Sequence, residues 1–277
     1  MTFPLNSLGV VGLGQMAQAL LEPWIEGGLI PPEAVRAVVG SEASRQRWAH
    51  RTLAGHPLAV TLDPSDAWRS SVVLLAVKPQ QLESVAAAAS LPSEAAAEPS
   101  SRLLISVLAG VRLERLRRLF PTRICVRAVV NTPALVRCGL TALAWAPEPQ
   151  AEARQGLEDL FGRVGDVWTL PENQLDAFLA LTASGPAFVA LMAEALADGA
   201  VAAGLPRPLA QGLALRTLSG TAALLEGKDL HPAQLKDMVS SPGGTTIAGL
   251  RELERSGLRS ALLEAVLAAA ERSRALA

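Results

Sequence analysis

The sequence predicts an N-terminal α/β domain built on a parallel sheet and an all-helical C-terminal domain, divided as 1–167 and 168–277. Three observations predict this. Short apolar runs of strand length alternate with helical patterns as far as about Trp168. A glycine-rich turn separates the first of those runs from the first helix. Beyond about Pro171 the strand signal stops, and Ala/Leu-rich patterns of helical length take over. A chain of 277 residues, half of them apolar, suits two domains with sizeable cores.

The elements follow in order. LGVVGLG (8–14) reads as a strand and its turn, and Gln15–Glu26 as a helix. VRAVV (35–39) is the second strand. Asp63 and Pro64 start a short helix, with Asp63 as N-cap and Pro64 at the first position. VVLLAV (72–77), LLISVLAG (103–110) and RICVRAV (123–129) are further strands. Strands this apolar belong to a parallel sheet covered by helices on both faces. Ala86–Ser101, rich in Ala, Ser, Pro and Glu, reads as a helix end followed by a loop. The C-terminal half carries helical patterns over 187–203, 207–226, 245–256 and 258–276, each interrupted by Gly, Pro or Asp-Gly signals. Their surplus of Ala and Leu predicts helices covered on more than one face, as at a subunit interface.

Composition excludes several function classes. With 25 basic and 26 acidic residues, the chain has no basic footprint for nucleic acid. Cys125 and Cys138 have apolar neighbours and no CxxC spacing, so both read as reduced core residues of an intracellular protein. His50, His56 and His231 are isolated, and no metal-ligand spacing occurs. MTFPLNSLGVVG lacks the basic start of a signal peptide. The apolar stretch Phe178–Ala193 contains Thr182, Ser184, Gly185 and Pro186 and falls short of the roughly 20 residues that span a bilayer. It reads as a core or interface helix. The expectation is a cytoplasmic protein with no membrane and no nucleic-acid partner.

The glycine turn is the first chemical signal. Gly12-Leu13-Gly14-Gln15-Met16-Ala17 is a GxGxxA fingerprint, following an apolar strand and opening a helix. Gly12 permits the tight turn, Gly14 lets a pyrophosphate approach the backbone, and Ala17 allows close helix–strand packing. The helix N-terminus supplies unpaired N–H groups to the anion. The domain is therefore expected to be Rossmann-like. Forms that bind NAD usually place an acid at the end of the second strand. Here that strand ends Val39-Gly40-Ser41, with Glu42 displaced and Arg45 one turn on. Ser41 and Arg45 read as holders of a 2′-phosphate, and the other reading makes Ser41 an N-cap and Arg45 a surface charge. The cofactor expected is NADPH, with NADH as the alternative.

The inventory of acids points to a type of reduction. The chain has no tyrosine, and its lysines are Lys78, Lys228 and Lys236 alone. Reducing a ketone develops an alkoxide that needs a proton donor or a positive group. Reducing a protonated C=N bond yields a neutral amine from a substrate already activated. A site with few acids therefore points toward imine reduction.

At this point the sequence resembles a known family, pyrroline-5-carboxylate reductase, nearly end to end. GVVGLGQMAQALL (9–21) resembles that family's cofactor loop. LLAVKPQQLESV (74–85) resembles its AVKP segment, ISVLAGV (105–111) its AG turn, and RAVVNTPALV (127–136) its Asn-Thr-Pro loop. ASGPAFVALMAEALADGAVAAGLPR (183–207) resembles its long central helix. HPAQLKDMVSSPGGTTIAGLRELERSGLR (231–259) is the most diagnostic block. The resemblance implies cofactor contacts at Ala76, Val77, Lys78, Pro79, Ala109, Gly110 and Asn131. It implies substrate contacts at Ser241, Gly243, Gly244, Thr245 and Thr246.

The physics of SSPGGTT agrees. Gly243 and Gly244 remove side chains so that backbone N–H groups can face a carboxylate, and the helix start beyond favours an anion by about 0.3–2 kcal/mol. Ser241 and Thr245 add hydrogen bonds. The resemblance places the Thr246 hydroxyl by the ring nitrogen as the catalytic group. The plainer reading is a Pro-Gly turn with a threonine cap.

The resemblance further implies hydride transfer to C5 of 1-pyrroline-5-carboxylate, giving L-proline, the last step of proline biosynthesis. It also implies helical domains intertwined in a homodimer, each site formed between the domains, with a higher oligomer of dimers as the alternative. The sequence departs from the family at Val130, Ala183, Phe188 and Arg216, which puts the preferred imine and the subunit packing in question. Two rival readings remain: a reductase of a related cyclic imine acid, and a silent paralogue that binds dinucleotide as a sensor.

Overall fold

The computed structural model describes residues 7–89 and 102–276. Most of the loop expected within Ala86–Ser101 lies outside the described residues; residues 86–89 end a helix. The chain divides into two compact units, one of residues 1–183 with 270–277 and one of residues 184–269. The composition change near residue 168 falls inside a strand of the first unit.

The first unit is built around an eight-stranded sheet. Its elements open with β1 (Leu8–Val11), α1 (Gln15–Glu26), β2 (Val35–Val38) and α2 (Glu42–Trp48). A small hairpin follows, β3 (Thr52–Leu53) and β4 (His56–Pro57), then β5 (Ala59–Thr61) and α3 (Ser65–Arg69). Next come β6 (Val72–Leu75), α4 (Leu82–Ala89), β7 (Leu103–Ser106) and α5 (Leu113–Leu119). The unit continues with β8 (Ile124–Val130), β9 (Gly139–Ala146), α6 (Ala151–Gly162), β10 (Gly165–Thr169) and α7 (Leu175–Thr182). The strand order is β10-β9-β8-β7-β6-β1-β2-β5, so β1 lies between β2 and β6 at the point where the order reverses.

Two corrections to the sequence reading arise here. The sheet is not wholly parallel: β9 runs antiparallel to β8, with Val126 opposite Trp145. The eight residues between them, most of them in a short 3-10 turn, are too few for a crossover helix and return the chain directly alongside. The helix at Asp63-Pro64 begins one residue late. Pro64 takes the N-cap position, and Asp63 Oδ1 accepts from the Ser65 N–H at 2.9 Å.

Alternating strand residues feed two cores. On one face Leu8, Val10, Leu74, Ile105 and Val126 pack with Leu20, Trp24, Leu157 and Phe161. On the other Val73, Leu75, Leu104 and Cys125 pack with Trp68, Leu82, Leu116 and Leu175. Both faces are covered, which is why these strands carry no polar alternation. Trp24 fixes α1 against α6: its indole N–H donates to the Leu160 carbonyl at 2.6 Å, and its ring meets Phe161 edge-on at 5.6 Å. Burial pushes the Cys125 thiol up to about 12. Cys138 corrects the expectation of two core cysteines, because it is exposed. It follows Arg137, whose left-handed backbone (φ 60°) turns the chain outward before β9.

The second unit is helical. It holds α8 (Gly185–Ala202), α9 (Arg207–Gly227), α10 (Pro232–Met238), α11 (Thr245–Arg255) and the start of α12 (Leu258–Ala275). The sequence reading missed α10, whose seven residues span too little for a periodic signal. The core of this unit is small: Ala197, Ala210 and Ala214 let α8 and α9 approach closely. Much of its apolar surface is open, including Leu191, Leu196, Leu209, Leu213, Leu215, Leu263 and Leu267. An apolar surface of this extent on a single chain is the mark of an interface. By length and composition, residues 172–202 would suffice to cross a membrane. Its first part, α7, packs on β8 and β9, and α8 carries Glu194 and Asp198.

Candidate active site

The loops after β1, β2 and β6 meet at the carboxyl edge of the sheet and enclose a cleft of about 460 Å³. Ligands bind in this position in open parallel sheets, because the loops diverge where the strand order reverses. Of the expected cofactor residues, Gly12, Leu13, Gly14, Ala76, Val77 and Lys78 line it.

The glycines differ in what they do. Gly12 has φ 95°, and a Cβ there would lie 2.7 Å from the Ala76 carbonyl oxygen. Its N–H donates to the Val38 carbonyl at 3.0 Å, tying the turn to β2. Gly14 is the N-cap of α1, with no side chain capping the helix, and a Cβ on it would meet nothing within 4 Å. The first N–H groups of α1 have no capping side chain, and the space a Gly14 Cβ would take is clear of other atoms, which fits the pyrophosphate of a dinucleotide. Gln15 and Met16 begin α1 behind that cradle.

The structure separates the residues expected at the ribose end. Ser41 caps α2, its Oγ accepting from the Ser44 N–H at 3.3 Å. Arg45 donates to Glu42 at 2.8 Å, an exposed pair that holds the Glu42 carboxyl below its ordinary range. Neither borders the cleft. Ser44 and Arg47 border it instead, joined by a 2.8 Å bond from Arg47 Nη2 to Ser44 Oγ. Sequence reasoning missed both. Their signal was the three-residue spacing Ser41-Ser44-Arg47, which repeats along one helix face.

The remaining expected residues do not border the cleft. Pro79 opens a short 3-10 turn ahead of α4. Ala109 and Gly110 lie in the turn after β7, with Gly110 at φ 71°. Asn131 is buried after β8, and its amide bridges protein groups. Nδ2 donates to the Thr182 carbonyl at 3.1 Å, and Oδ1 accepts from the Leu140 N–H at 2.7 Å.

In the second unit, Ser241, Gly243, Gly244, Thr245 and Thr246 form one compact turn and helix start. Gly243 has φ 67°, and the Gly244 N–H donates to the Ser241 carbonyl at 3.0 Å. Gly244 is the N-cap of α11 and provides no capping side chain. The neighbouring α10 is closed by contrast. His231 accepts from the Ala233 N–H at 3.2 Å, and Gln234 reaches back to the His231 N–H at 2.9 Å. The starts of α8 and α9 likewise lack a side-chain cap. At α11 the uncapped N–H donors stand beside two threonine hydroxyls, an arrangement suited to a carboxylate.

Residues 172–276 match the family described as pyrroline-5-carboxylate reductase dimerisation, and residues 7–110 match that described as NADP oxidoreductase, coenzyme F420-dependent. The chain is 45% identical to a pyrroline-5-carboxylate reductase of Synechocystis over 97% of both chains. It belongs to the pyrroline-5-carboxylate reductase family. It is 38% identical to the soybean (Glycine max) member, over 98% of this chain and 96% of that one. Among solved structures, Plasmodium falciparum pyrroline carboxylate reductase with NADP bound superposes with a TM-score of 0.84. It is 29% identical and covers 98% of both chains. The family match fixes the architecture as a Rossmann-like domain followed by the family's helical dimerisation region, and makes the chain a member of a dinucleotide-dependent oxidoreductase family.

Proposed function

We propose that this protein reduces 1-pyrroline-5-carboxylate to L-proline with NADPH, as a cytoplasmic homodimer. Family membership carries the reading, and the start of α11 supports it: Gly243 and Gly244 stand before Thr245 and Thr246 with no capping side chain.

When bound, the dinucleotide supplies the hydride that C5 of the imine accepts. Everything else falls to the chain. The Gly12–Ala17 turn and the start of α1 hold the pyrophosphate. Ala76–Pro79, Ala109-Gly110 and the Asn131 loop wall the nicotinamide side, with Asn131 fixing its own loop through Thr182 and Leu140. The α11 start and Ser241 hold the substrate carboxylate. The Thr246 hydroxyl meets the ring nitrogen, orients the imine and relays a proton to it. With no acid at hand, orientation and a fixed field of N–H dipoles supply much of the rate.

The test is NADPH absorbance followed after addition of pyrroline-5-carboxylate, with the six-membered analogue alongside. Substrate-dependent oxidation with higher kcat/KM for the five-membered ring is expected. Tight NADPH binding without oxidation would refute the reading.

Cofactor choice rests on Arg47 and Ser44, with Arg45 and Ser41 behind them. Arg47→Ala is expected to raise KM for NADPH about tenfold or more and to leave NADH nearly unchanged, since a charge-assisted bond contributes about 1.5–3 kcal/mol. Arg45→Ala should have the smaller effect, because its charge is already paired with Glu42. Equal effects on both cofactors would remove the 2′-phosphate from this site.

The open apolar surface of the second unit predicts assembly. Light scattering at micromolar concentration should give at least the dimer mass, and a stable monomer would contradict this.

A further inference from the structure

A buried charged cluster lies outside the cleft. Arg127, in the middle of β8, is only 2% exposed. Its Nη1 donates to Glu172 Oε1 at 3.2 Å, and its Nη2 stands 3.8 Å from Asp176 Oδ1. A guanidinium keeps its charge in a protein interior, so it must be held by counter-charges. Purely structural packing would be served better by an apolar side chain of similar size.

What Arg127 organises is the turn after β7. In register beside it is Ser106, whose hydroxyl accepts from the Leu108 N–H at 3.4 Å, at the start of that turn. At the turn's end, the Glu172 oxygen that takes Arg127 also accepts from the Leu113 N–H at 2.7 Å and so caps α5. The Asp176 oxygen that faces Arg127 accepts from Ser273 Oγ at 2.7 Å, which fastens the last residues of α12. The residue just after them reaches the tip of the same turn: a Cβ on Gly110 would lie 2.8 Å from the Leu276 carbonyl oxygen. The end of the turn is thus held by the carboxylate that takes the guanidinium, and its tip lies against the chain end that Ser273 ties to the second carboxylate.

We propose that Arg127 is a positioning residue: through Glu172 and through Asp176 and Ser273 it fixes the Val107–Arg112 turn that walls the cofactor. This rests on the reading of Ala109 and Gly110 as cofactor contacts.

The test uses the full chain with Arg127→Lys, Arg127→Met, Asp176→Asn and Ser273→Ala. Amide hydrogen exchange of the protein alone is read first. Residues 107–113 of Ser273→Ala should exchange at least tenfold faster than in the parent, while residues 8–20 stay unchanged. Steady-state kinetics with pyrroline-5-carboxylate should then show KM for NADPH raised about three- to tenfold. KM for the imine and kcat at saturation should stay within about twofold. Arg127→Lys should fall between the parent and Arg127→Met, since it keeps the charge and loses the fork. If Arg127→Met does not fold, Ser273→Ala and Arg127→Lys decide the matter. Unchanged exchange in folded variants, or exchange faster everywhere, would overturn the positioning role. Faster exchange confined to the turn with unchanged NADPH KM would overturn its link to the cofactor, and would locate the failure in the reading of Ala109 and Gly110.

Discussion

Thr246→Val is expected to lower kcat and kcat/KM together, by roughly 10–1,000-fold, the range for losing one positioned hydrogen-bonding group in a transition state. Valine keeps the β-branched shape at the second residue of α11, so the helix start is preserved and only the hydroxyl is lost. If the hydroxyl helps ground-state binding alone, KM for the imine rises and kcat stays. NADPH affinity should not change, because the cofactor turn at Gly12–Ala17 belongs to the other compact unit. Thr245→Val is the internal control and should cost less. Full activity in a folded Thr246→Val dimer would leave the turn as a carboxylate clamp, with the imine protonated in solution before it binds.

The second large effect separates two glycines of the same fingerprint. Gly12→Ala should raise KM for NADPH at least tenfold and also lower the melting temperature. The left-handed backbone costs an alanine about 1–2 kcal/mol, and the new Cβ presses on the Ala76 carbonyl in the folded protein itself. Gly14→Ala should leave the melting temperature within a degree or two, since its Cβ enters open space. It should weaken NADPH binding all the same, because that space is where the pyrophosphate approaches. A Gly14→Ala protein with parental cofactor affinity would move the pyrophosphate away from α1. Thermal melting with and without NADPH reads both variants in one experiment.

Parts of this protein could be read locally. The strand–turn–helix at 8–26 was legible because glycine spacing, an apolar run and a helical pattern all fall within one short segment. The strands β6, β7 and β8 were legible because burial on both faces leaves an apolar run. The long helices of the C-terminal half were legible from their punctuation: α9 begins at the Pro206-Arg207 signal and α11 directly after Gly243-Gly244. The chemistry of SSPGGTT could be argued from the residues themselves, since an open helix start follows from two glycines and no cap.

Other features depended on groups far apart in the chain. The spacing Ser41-Ser44-Arg47 puts Arg47 on one helix face, but only the direction in which α2 packs turns that face toward the cleft and leaves Arg45 to Glu42 and solvent. The antiparallel pairing of β9 with β8 is seen only in the assembled sheet, and Cys138 is exposed in the turn between them. Asn131 reads as a ligand contact in sequence, while its bonds to Thr182 and Leu140 exist only once β9 and α7 are in place. The clearest case is Arg127. In sequence it interrupts an apolar strand without explanation; its counter-charges Glu172 and Asp176 lie beyond two further strands, and Ser273, which holds Asp176, lies near the other end of the chain. Sequence by itself determined which helix starts follow glycines and carry no capping side chain, because that depends on residues within one turn. Only the tertiary structure decided which side chains face those helix starts and what holds the surrounding loops, because a buried charge is compensated by whatever the fold brings within hydrogen-bonding distance.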